Sequence, residues 1–329
     1  MIVTDIVAKA GVNSFYKDVM TGLSSPHKYL QSKYFYDPAG DELFQEIMQS
    51  PEYYLTGCEE EIFVNQTKAI ASLFLKRLAE FDILELGAGD ATKSTHLLRY
   101  LSERRERITY YPVDISENIV RLLEAEIPQR IPGLQMSGLN GEYFDMIQEC
   151  YQVSKRRKIV LFLGSNIGNF SIEEADRFLL MLNQQLAFGD IALIGFDLKK
   201  SPRQILAAYN DRLGVTKAFN LNLLRRINRE LDGDFDITKF DHYPTYDPVS
   251  GTCKSFLISC EDQKVHVGEQ CFNFYRNEPI WTELSQKYSE QEINKLALHC
   301  GFTPIANFYD SRHWFVDSVW EKIKISHFK

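Results

Sequence analysis

The amino-acid sequence predicts an α/β fold: a doubly wound, mostly parallel sheet that ends in an antiparallel hairpin, joined by a second, α+β domain. Three observations predict it. Short apolar runs alternate with amphipathic helical segments in the middle of the chain, the alternation stops near residue 198, and two apolar runs close the chain. Strands that are separated by helices are parallel with right-handed crossovers, so the alternating part predicts helices on both faces of one sheet.

The strands are predicted where short runs of β-branched and aliphatic residues end at glycine or polar residues. These runs are Phe81–Leu86, Ile108–Val113, Leu134–Gly138, Lys158–Gly164 and Ile191–Asp197, followed near the C-terminus by the hairpin Pro304–Tyr309 and Trp314–Glu321. The fourth run is apolar over Ile159–Leu163, which is typical of a strand that is covered on both faces.

Helices are predicted between and after these strands from apolar residues at helical spacing. They are Lys93–Arg104, Ser116–Glu126, Ser171–Gln185 and a last helix from Ser289 to Gly301. Two capping boxes, Ser171 with Glu174 and Ser289 with Glu292, mark where the last two begin.

Residues 199–284 break this alternation, which predicts an inserted subdomain. The segment is predicted to contain one long helix (Arg203–Leu231), a turn at Asp232-Gly233-Asp234, and the strands Thr252–Cys260, Lys264–Val267 and Cys271–Tyr275. A helix followed by strands with turns between them is typical of an α+β subdomain.

Composition and charge exclude several classes of function. The chain has 329 residues, 44% hydrophobic and 25% charged, which is ordinary for a globular protein. A net charge of −8 disfavours a nucleic-acid partner. The apolar runs are far shorter than the ~20 residues of a membrane span. Asp5 and Lys9 argue against a secretion signal, so a cytoplasmic protein is predicted. The six cysteines form no CxxC pair, which predicts free thiols and no metal site.

The first strand runs into a glycine loop, Gly87-Ala88-Gly89, that opens a helix. Thr92 stands where a dinucleotide-binding loop carries its third glycine, which disfavours an NAD oxidoreductase. The loop resembles the E/D-x-G-x-G loop of S-adenosylmethionine enzymes, in which glycines such as Gly87 and Gly89 let the backbone pass close beneath the cofactor. Glu85, just before the turn, is predicted to position polar groups around the cofactor's amino end. A tight structural turn is the alternative.

Two further positions favour a cofactor site at the carboxyl edge of the sheet. Asp114 ends the second strand, where a carboxylate can accept both ribose hydroxyls. The alternative for Asp114 is an N-cap of the helix that begins near Ser116. Glu142 and Tyr143 follow the third strand, where an adenine contact is expected.

The loop after the fourth strand, Phe162–Phe170, is predicted to face the reacting methyl group, because ligands of such sheets bind beyond the carboxyl ends of the strands. Two glycines and two asparagines there indicate a pocket lined by backbone. The alternative is an ordinary strand-to-helix turn in which Asn169 lies near the Ser171 cap.

Several motifs together resemble the L-histidine Nα-methyltransferases of the ergothioneine pathway. They are Tyr34–Phe44, Pro51–Thr56, Phe162–Asn169, Ala207–Asp211, Asn228–Leu231 and Thr282–Ser285. The matches run from about Tyr34 to the C-terminus, and their combination is much more specific than the glycine loop alone.

The resemblance implies a class I methyltransferase domain, residues 59–198 with 286–329, and a substrate-binding domain, residues 1–58 with 199–285. It implies an enzyme that uses S-adenosylmethionine, releases S-adenosylhomocysteine, and methylates the α-amino nitrogen of free L-histidine up to three times to give hercynine. A cytoplasmic monomer without nucleic-acid or membrane partners is expected.

The resemblance also implies roles for individual residues. S-adenosylmethionine would be held by Tyr36, Gly87, Lys93, Asp114, Glu142 and Tyr143. The amino and carboxylate groups of the substrate would be held by Tyr53, Gly164, Asn169 and Tyr209, and its imidazole by Glu283 and Ser285. Tyr53 and Asn169 are the predicted catalytic residues, since a neutral amide can orient an amine without trapping it as an ammonium.

One position departs from the family, and several alternatives stay open. Ser255 stands where the family often carries methionine near the substrate ring. Tyr53 could be a core aromatic residue, Tyr209 could only pack on its helix, and Glu283 could be an acid in the first turn of a helix. The substrate could be another aromatic amino acid such as tryptophan or tyrosine, or the chain could bind S-adenosylmethionine without catalysis.

Overall fold

A computed structural model describes residues 14–104 and 107–323. The chain divides into two compact units. The large unit comprises the described residues of Leu55–Lys199 and Gln286–Lys329, and the small unit those of Met1–Tyr54 and Lys200–Ser285. Each unit has its own hydrophobic core.

The helices of the described residues are α1 (14–24), α2 (Pro38–Gln49), α3 (Tyr54–Arg77), α4 (Thr92–Glu103), α5 (Glu117–Arg130), α6 (Tyr143–Val153), α7 (Ile172–Gln185), α8 (Pro202–Ala208), α9 (Val215–Glu230) and α10 (Glu290–His299). Their strands are β1 (Phe81–Leu86), β2 (Thr109–Asp114), β3 (Gln135–Met136), β4 (Leu139–Asn140), β5 (Arg157–Phe162), β6 (Ile191–Asp197), β7 (Phe240–Asp247), β8 (Thr252–Ser259), β9 (Gln263–Val267), β10 (Gln270–Phe274), β11 (Pro279–Gln286), β12 (Phe302–Tyr309) and β13 (Phe315–Lys322). Short 3₁₀ turns lie at Ser32–Phe35, Asn166–Asn169 and Ile237–Lys239.

The large unit is built on an eight-stranded sheet with the order β12-β13-β6-β5-β1-β2-β3, in which β4 also pairs with β2. The strands from β1 to β6 are parallel, and β13 is antiparallel to both β6 and β12. The predicted fold class is confirmed: a doubly wound sheet with a C-terminal antiparallel hairpin. Since β5, β1 and β2 are neighbours, the loops at their carboxyl ends lie side by side.

The central strands are buried because helices cover both faces of the sheet. Every residue of β1 and β6 is buried, and β5 is buried after its first residue. Continuous apolar runs, rather than alternation, are expected for such strands. The core extends to the hairpin, where the Trp320 side chain is fully buried and its indole N–H donates to the Ser318 hydroxyl at 2.7 Å.

Both predicted capping boxes are present. The Ser171 and Ser289 hydroxyls accept the backbone N–H groups of Glu174 and Glu292, whose side chains bond back to the cap residues. The predicted third strand, Leu134–Gly138, contains β3 but is longer than it, and β4 was not predicted. At Gly138 the backbone runs against α5 and its N–H donates to the Glu124 carboxylate at 3.0 Å, which interrupts the strand.

The small unit contains a three-stranded sheet with the order β11-β8-β7, a two-stranded sheet of β9 and β10, and the packed helices α2 and α9. Its core includes Phe35, Phe219 and Leu257. Asp37 begins α2 by accepting the Gly40 N–H, and its carboxylate also bonds Asn222 and Arg229 of α9. This buried carboxylate is therefore paired, and it ties the two helices together.

The prediction of one helix over Arg203–Leu231 is wrong. The segment forms α8 and α9, separated at residues 209–214. The Asp211 carboxylate accepts the N–H groups of Val215 and Thr216 at 2.9 and 2.7 Å, so it starts a new helix. Strands β7 and β11 were not predicted. Within residues 14–104 and 107–323, no helix is both long and apolar enough to cross a bilayer.

Candidate active site

The glycine loop of the large unit brings together residues from three strand ends. Gly87 and Gly89 have φ values of 69° and 53°, in the left-handed region that favours glycine. A Cβ atom on Gly87 would lie 2.9 Å from the Tyr143 hydroxyl oxygen and 3.2 Å from the Asn166 amide nitrogen. The positive φ favours glycine here, and a Cβ atom would displace the ends of the Tyr143 and Asn166 side chains, which lie against the loop.

Asp114 lies beside this loop at the end of β2. One carboxylate oxygen accepts the Ser116 N–H at 2.9 Å, and the other lies 3.4 Å from the Gly89 nitrogen. The N-cap of α5 is Ser116, whose hydroxyl accepts the Ile119 N–H. The alternative role of Asp114 as that cap is therefore wrong. Gly87, Gly89, Asp114, Tyr143 and Asn166 are called the glycine-loop cluster below.

Tyr143 is the first residue of α6, and the exposed Glu142 precedes it as the N-cap residue. The Tyr143 ring packs edge-on against Phe162 and Phe178, with centroids 5.9 and 6.2 Å away. Burial, and then the negative charge of Asp114, raise the pKa of Tyr143 to about 12. Its hydroxyl therefore stays protonated at neutral pH and can donate a hydrogen bond.

Glu85 lies beneath the loop and points into the protein. Its carboxylate is 3% exposed and accepts the Tyr110 hydroxyl at 2.5 Å. Burial raises the pKa of Glu85 to about 7. In this structure the carboxylate bonds to Tyr110 inside the protein. The contact of Glu85 with a cofactor's amino end stays a prediction.

Lys93, in the first turn of α4, forms an ion pair with Glu59 of α3. The Glu59 carboxylate also accepts the Gly164 N–H, with its two oxygens at 2.9 and 2.8 Å. Gly164 follows β5 with φ at 72°. The structure therefore brings two predicted site residues, Lys93 and Gly164, onto one buried carboxylate. The sequence analysis missed Glu59. The sequence does contain an indication of its role, because Glu59 is a charged residue among the apolar residues Leu55, Ile62 and Phe63 of α3.

The loop after β5 continues as the 3₁₀ turn Asn166–Asn169. Asn169 is exposed at the end of this turn, takes no part in the Ser171–Glu174 capping box, and its side-chain amide bonds no other residue that the structure describes. A Cβ atom on Gly168 would lie 2.9 Å from the Gln286 carbonyl oxygen, so glycine is needed for close packing. The Asn169 amide is thus presented to solvent by a tightly packed loop.

Five predicted substrate residues form a connected set within the small unit. The Ser255 hydroxyl of β8 donates to the Glu283 carboxylate of β11 at 3.0 Å, and the Tyr209 hydroxyl donates to the Ser285 hydroxyl at 2.7 Å. The ring of Tyr53 packs edge-on against that of Tyr209, with centroids 6.4 Å apart. These residues are called the Glu283 cluster below.

The positions of these residues exclude one open alternative, that for Glu283, and leave the role of Tyr209 a prediction. Glu283 lies in strand β11, so it is not an acid in the first turn of a helix. Tyr209 follows the last residue of α8. Its ring is buried, and its hydroxyl donates a hydrogen bond to the Ser285 hydroxyl. Trp281, which the sequence analysis did not consider, donates its indole N–H to the Glu283 carbonyl at 2.8 Å.

Tyr36 belongs to the small unit and is half exposed. Its ring packs edge-on against Phe44 and Phe219, with centroids 5.6 and 5.9 Å away. Its carbonyl oxygen lies 3.4 Å from the Arg226 guanidinium. Aromatic residues of the small unit therefore fix the Tyr36 ring. The other predicted cofactor residues lie in the large unit, and the cofactor role of Tyr36 stays a prediction.

The glycine-loop cluster fits S-adenosylmethionine. A Cβ atom on Gly89 would meet nothing within 4 Å, so the loop borders open space. The Asp114 carboxylate lies beside that space and can accept two hydroxyl donors, which is what a ribose presents. The Tyr143 hydroxyl adds a donor next to the glycine backbone.

The comparisons with known proteins agree with this geometry. The family described as "Histidine-specific methyltransferase, SAM-dependent" matches residues 15–322. The histidine N-alpha-methyltransferase of Mycolicibacterium smegmatis is 30% identical over 314 residues, 95% of this chain and 94% of the relative. That of Mycobacterium tuberculosis is 32% identical over 286 residues, 86% and 87% of the two chains.

A more distant relative, the L-tryptophan methyltransferase trpM of Psilocybe serbica, is 27% identical over 320 residues, 89% of each chain. The family match nevertheless covers nearly the whole chain and includes both units. By the extent of this match and its identity to the mycobacterial proteins, the chain belongs to the histidine-specific, S-adenosylmethionine-dependent methyltransferases.

Proposed function

We propose that this protein transfers methyl groups from S-adenosylmethionine to the α-amino nitrogen of free L-histidine, up to three times, and so makes hercynine for ergothioneine biosynthesis. The observation that carries the choice of histidine is the Ser255–Glu283 pair, with Ser285 two residues further along β11. A carboxylate can accept an imidazole N–H, which an aliphatic or phenyl side chain cannot offer.

The cofactor supplies an electrophilic methyl group on a sulfonium. Gly87 and Gly89 would leave room for it, Asp114 would accept its ribose hydroxyls, and Glu142 and Tyr143 would contact its adenine. The arrangement that supports this is the open space at Gly89 beside the Asp114 carboxylate. Lys93, in the first turn of α4, would also bind the cofactor, and its charge is balanced by Glu59.

The amine of the substrate must be neutral to attack, because an ammonium has no free electron pair. Asn169 suits this requirement, since its amide oxygen accepts an N–H while carrying no charge that would stabilise an ammonium. Its side chain has no competing partner among the residues that the structure describes. Alignment of the electron pair and exclusion of water are the main contributions of the protein to such a displacement.

Tyr53 and Tyr209 would hold the substrate carboxylate, and Gly164, whose N–H is already donated to Glu59, would offer its carbonyl oxygen to the substrate amine. The tyrosine rings would also face a cation that grows with each methyl group, an attraction of roughly 0.5–2 kcal/mol per ring. The edge-on packing of Tyr53 against Tyr209 fixes the two rings relative to each other. A site built in this way accepts added methyl groups without needing a new hydrogen-bond partner for each.

Ser255 takes part in the choice of ring, although the family often carries methionine at this position. Its side chain is 1% exposed, and its hydroxyl donates to one oxygen of the Glu283 carboxylate. This bond orients the carboxylate, and a carboxylate can accept more than one donor. A buried site that is built to bond a ring N–H rejects rings that lack one.

Mass spectrometry of a mixed amino-acid pool after incubation with S-adenosylmethionine tests the proposal. We expect histidine alone to gain methyl groups, up to three, with S-adenosylhomocysteine formed in equal number. Methylation of tryptophan or tyrosine instead would reject histidine as the substrate. Binding of S-adenosylhomocysteine without turnover of any amino acid would indicate a non-catalytic binding protein. Monomeric state and cytoplasmic location stay predictions.

A further inference from the structure

A buried carboxylate in the large unit links the glycine-loop side of the site to the loop after β5. Glu59 has no exposed surface, although it lies on helix α3 among the apolar residues Leu55, Cys58, Ile62 and Phe63. A charged residue at such a position costs free energy unless its charge is paired and its oxygens are hydrogen-bonded. Its partners therefore indicate what it does.

Glu59 has partners from two directions. The Lys93 ammonium, one turn beyond the glycine loop, forms an ion pair with it. The Gly164 N–H, at the end of β5, donates to both carboxylate oxygens at 2.9 and 2.8 Å. A carboxylate that accepts a backbone N–H and an ammonium together forms charge-assisted hydrogen bonds, which are stronger than neutral ones.

The sheet beneath Glu59 is shaped to admit it. Gly195 of β6 lies directly below one carboxylate oxygen, so that a Cβ atom there would collide with Glu59. Asp317 of β13 pairs with Gly195 in the sheet and is completely buried. Neither carboxylate oxygen of Asp317 has a hydrogen-bond partner among the residues that the structure describes.

The charges of this group balance if Asp317 is protonated. Burial, and then the neighbouring charge of Glu59, raise the pKa of Asp317 well above its usual range. Burial lowers the pKa of Lys93, but the charge and the hydrogen bond of Glu59, together with the nearby carboxyl groups of Asp317 and Glu85, more than offset burial, so that the pKa of Lys93 is raised. Lys93 and Glu59 are then an ion pair beside a neutral carboxyl group.

We propose that Glu59 is a positioning residue for methyl transfer: it holds Lys93 and the Gly164 loop in register, so that the cofactor and the substrate amine meet in line. The proposal rests on the proposed function, in which Lys93 belongs to the cofactor site and Gly164 to the substrate site. Glu59 also neutralises Lys93, which would otherwise repel the positive sulfonium of S-adenosylmethionine. A displacement reaction loses rate steeply when its reacting atoms shift by about 1 Å.

The test is Glu59→Gln, which keeps the shape of the side chain and an acceptor for Gly164 but removes the charge that holds Lys93. We expect the Kd for S-adenosylhomocysteine to rise at least tenfold in calorimetry. The kcat for histidine should fall by 10–100-fold even with both ligands saturating, because alignment and not only affinity is lost.

The matched control is Asp190→Asn. Asp190, like Glu59, is a completely buried carboxylate of the large unit, and it accepts the backbone N–H groups of Lys158 and Ala187. It lies just before β6, at the amino end of the strand, whereas Gly164 lies beyond the carboxyl end of β5. This variant should lower Tm and leave kcat and the Kd for S-adenosylhomocysteine within about threefold of the wild type.

Three outcomes decide the matter. A Glu59→Gln protein that is folded at the assay temperature and retains the wild-type Kd and kcat would overturn the proposal. Equal losses in Glu59→Gln and Asp190→Asn would also overturn it, because both would then reflect stability alone. Failure of the wild type to methylate histidine would reject the proposed function, whereas the Kd of Glu59→Gln for S-adenosylhomocysteine would still report on the coupling to Lys93.

Discussion

The two candidate clusters are built by different means. The glycine-loop cluster of the large unit consists mainly of backbone conformation and unfilled space: two glycines at positive φ and a carboxylate held by backbone N–H groups. The Glu283 cluster of the small unit consists of side chains that bond one another. A site made mainly of backbone suits a cofactor that is the same in every reaction of the family. A site made of side chains can change its substrate when a side chain is substituted. We therefore expect changes in the first cluster to affect cofactor affinity and changes in the second to affect substrate choice.

Gly87→Ala is expected to have the largest effect of the variants proposed for these clusters. The added methyl group would lie 2.9 Å from the Tyr143 hydroxyl, and alanine at a φ of 69° adds roughly 1–2 kcal/mol of strain. We expect the affinity for S-adenosylhomocysteine to fall about 100-fold or more in isothermal titration calorimetry.

Gly89→Ala is the matched control for Gly87→Ala. Gly89 also has positive φ, but a Cβ atom there would meet nothing within 4 Å in the structure. We expect a loss of about tenfold or less from backbone strain. Equal losses in the two variants would contradict the role of Tyr143 contact at Gly87.

The two units are also expected to respond to pH in opposite directions. Burial raises the pKa of Glu85 in the large unit to about 7 and lowers the pKa of His242 in the small unit to about 4. Glu85 stays protonated in the folded state while the unfolded chain ionises, so its contribution to stability is lost as pH rises from about 4.5 to 7. His242 stays neutral while the unfolded chain is protonated, so its contribution is lost as pH falls from about 6.5 to 4.

Urea unfolding between pH 4 and 8 measures both effects. Each group should change the free energy of unfolding by roughly 3 kcal/mol across its range, since tenfold in proton affinity is about 1.4 kcal/mol. The difference between wild type and Glu85→Gln should shrink as pH falls to 4.5, and that between wild type and His242→Leu should shift in the opposite sense. Both imidazole nitrogens of His242 lack partners among the described residues, and its charged neighbours are Asp241, Asp211 and Lys217. Differences that do not vary with pH would reject these assignments.

Local patterns in the sequence predicted the large unit well. Strand β1 and its glycine loop, the two capping boxes and the closing hairpin all depend on residues a few positions apart. The connection of Glu59 to Gly164 and Asp317 could not be predicted, because those residues meet only after the sheet has formed. Sequence spacing identifies which residues end neighbouring strands but not which buried charge they share.

The small unit was predicted less well for equally physical reasons. Strand β7 contains Pro244 and many polar residues, so its sequence is typical of a loop. The break between α8 and α9 depends on Asp211 bonding two backbone groups ahead of it, which competes with a continuous apolar pattern. The site residues of this unit were identified through the family resemblance rather than through the predicted elements.

Glu283→Ala should alter substrate use without altering the cofactor site. Loss of a hydrogen bond to a charged group is worth about 1.5–3 kcal/mol, so kcat/KM for histidine should fall by roughly 10–150-fold. Steady-state kinetics with histidine, together with titration of S-adenosylhomocysteine, measures the two effects separately. Unchanged histidine kinetics would reject the imidazole contact, and an equal loss of cofactor affinity would contradict the division of roles between the clusters.

Ser255→Ala is expected to have the smallest effect. The Ser255 hydroxyl donates to Glu283 within a buried part of the small unit, so its removal leaves the carboxylate present but less firmly oriented. Because the substitution weakens the imidazole contact only through the orientation of Glu283, we expect a loss of about 0.5–1.5 kcal/mol, less than that of the contact itself, and so a rise of roughly 2–12-fold in KM for histidine with kcat nearly unchanged. In a Glu283→Ala background the same substitution should have almost no effect, because the group that Ser255 orients is gone. Additive losses in the double variant would instead mean that Ser255 contacts the substrate ring directly.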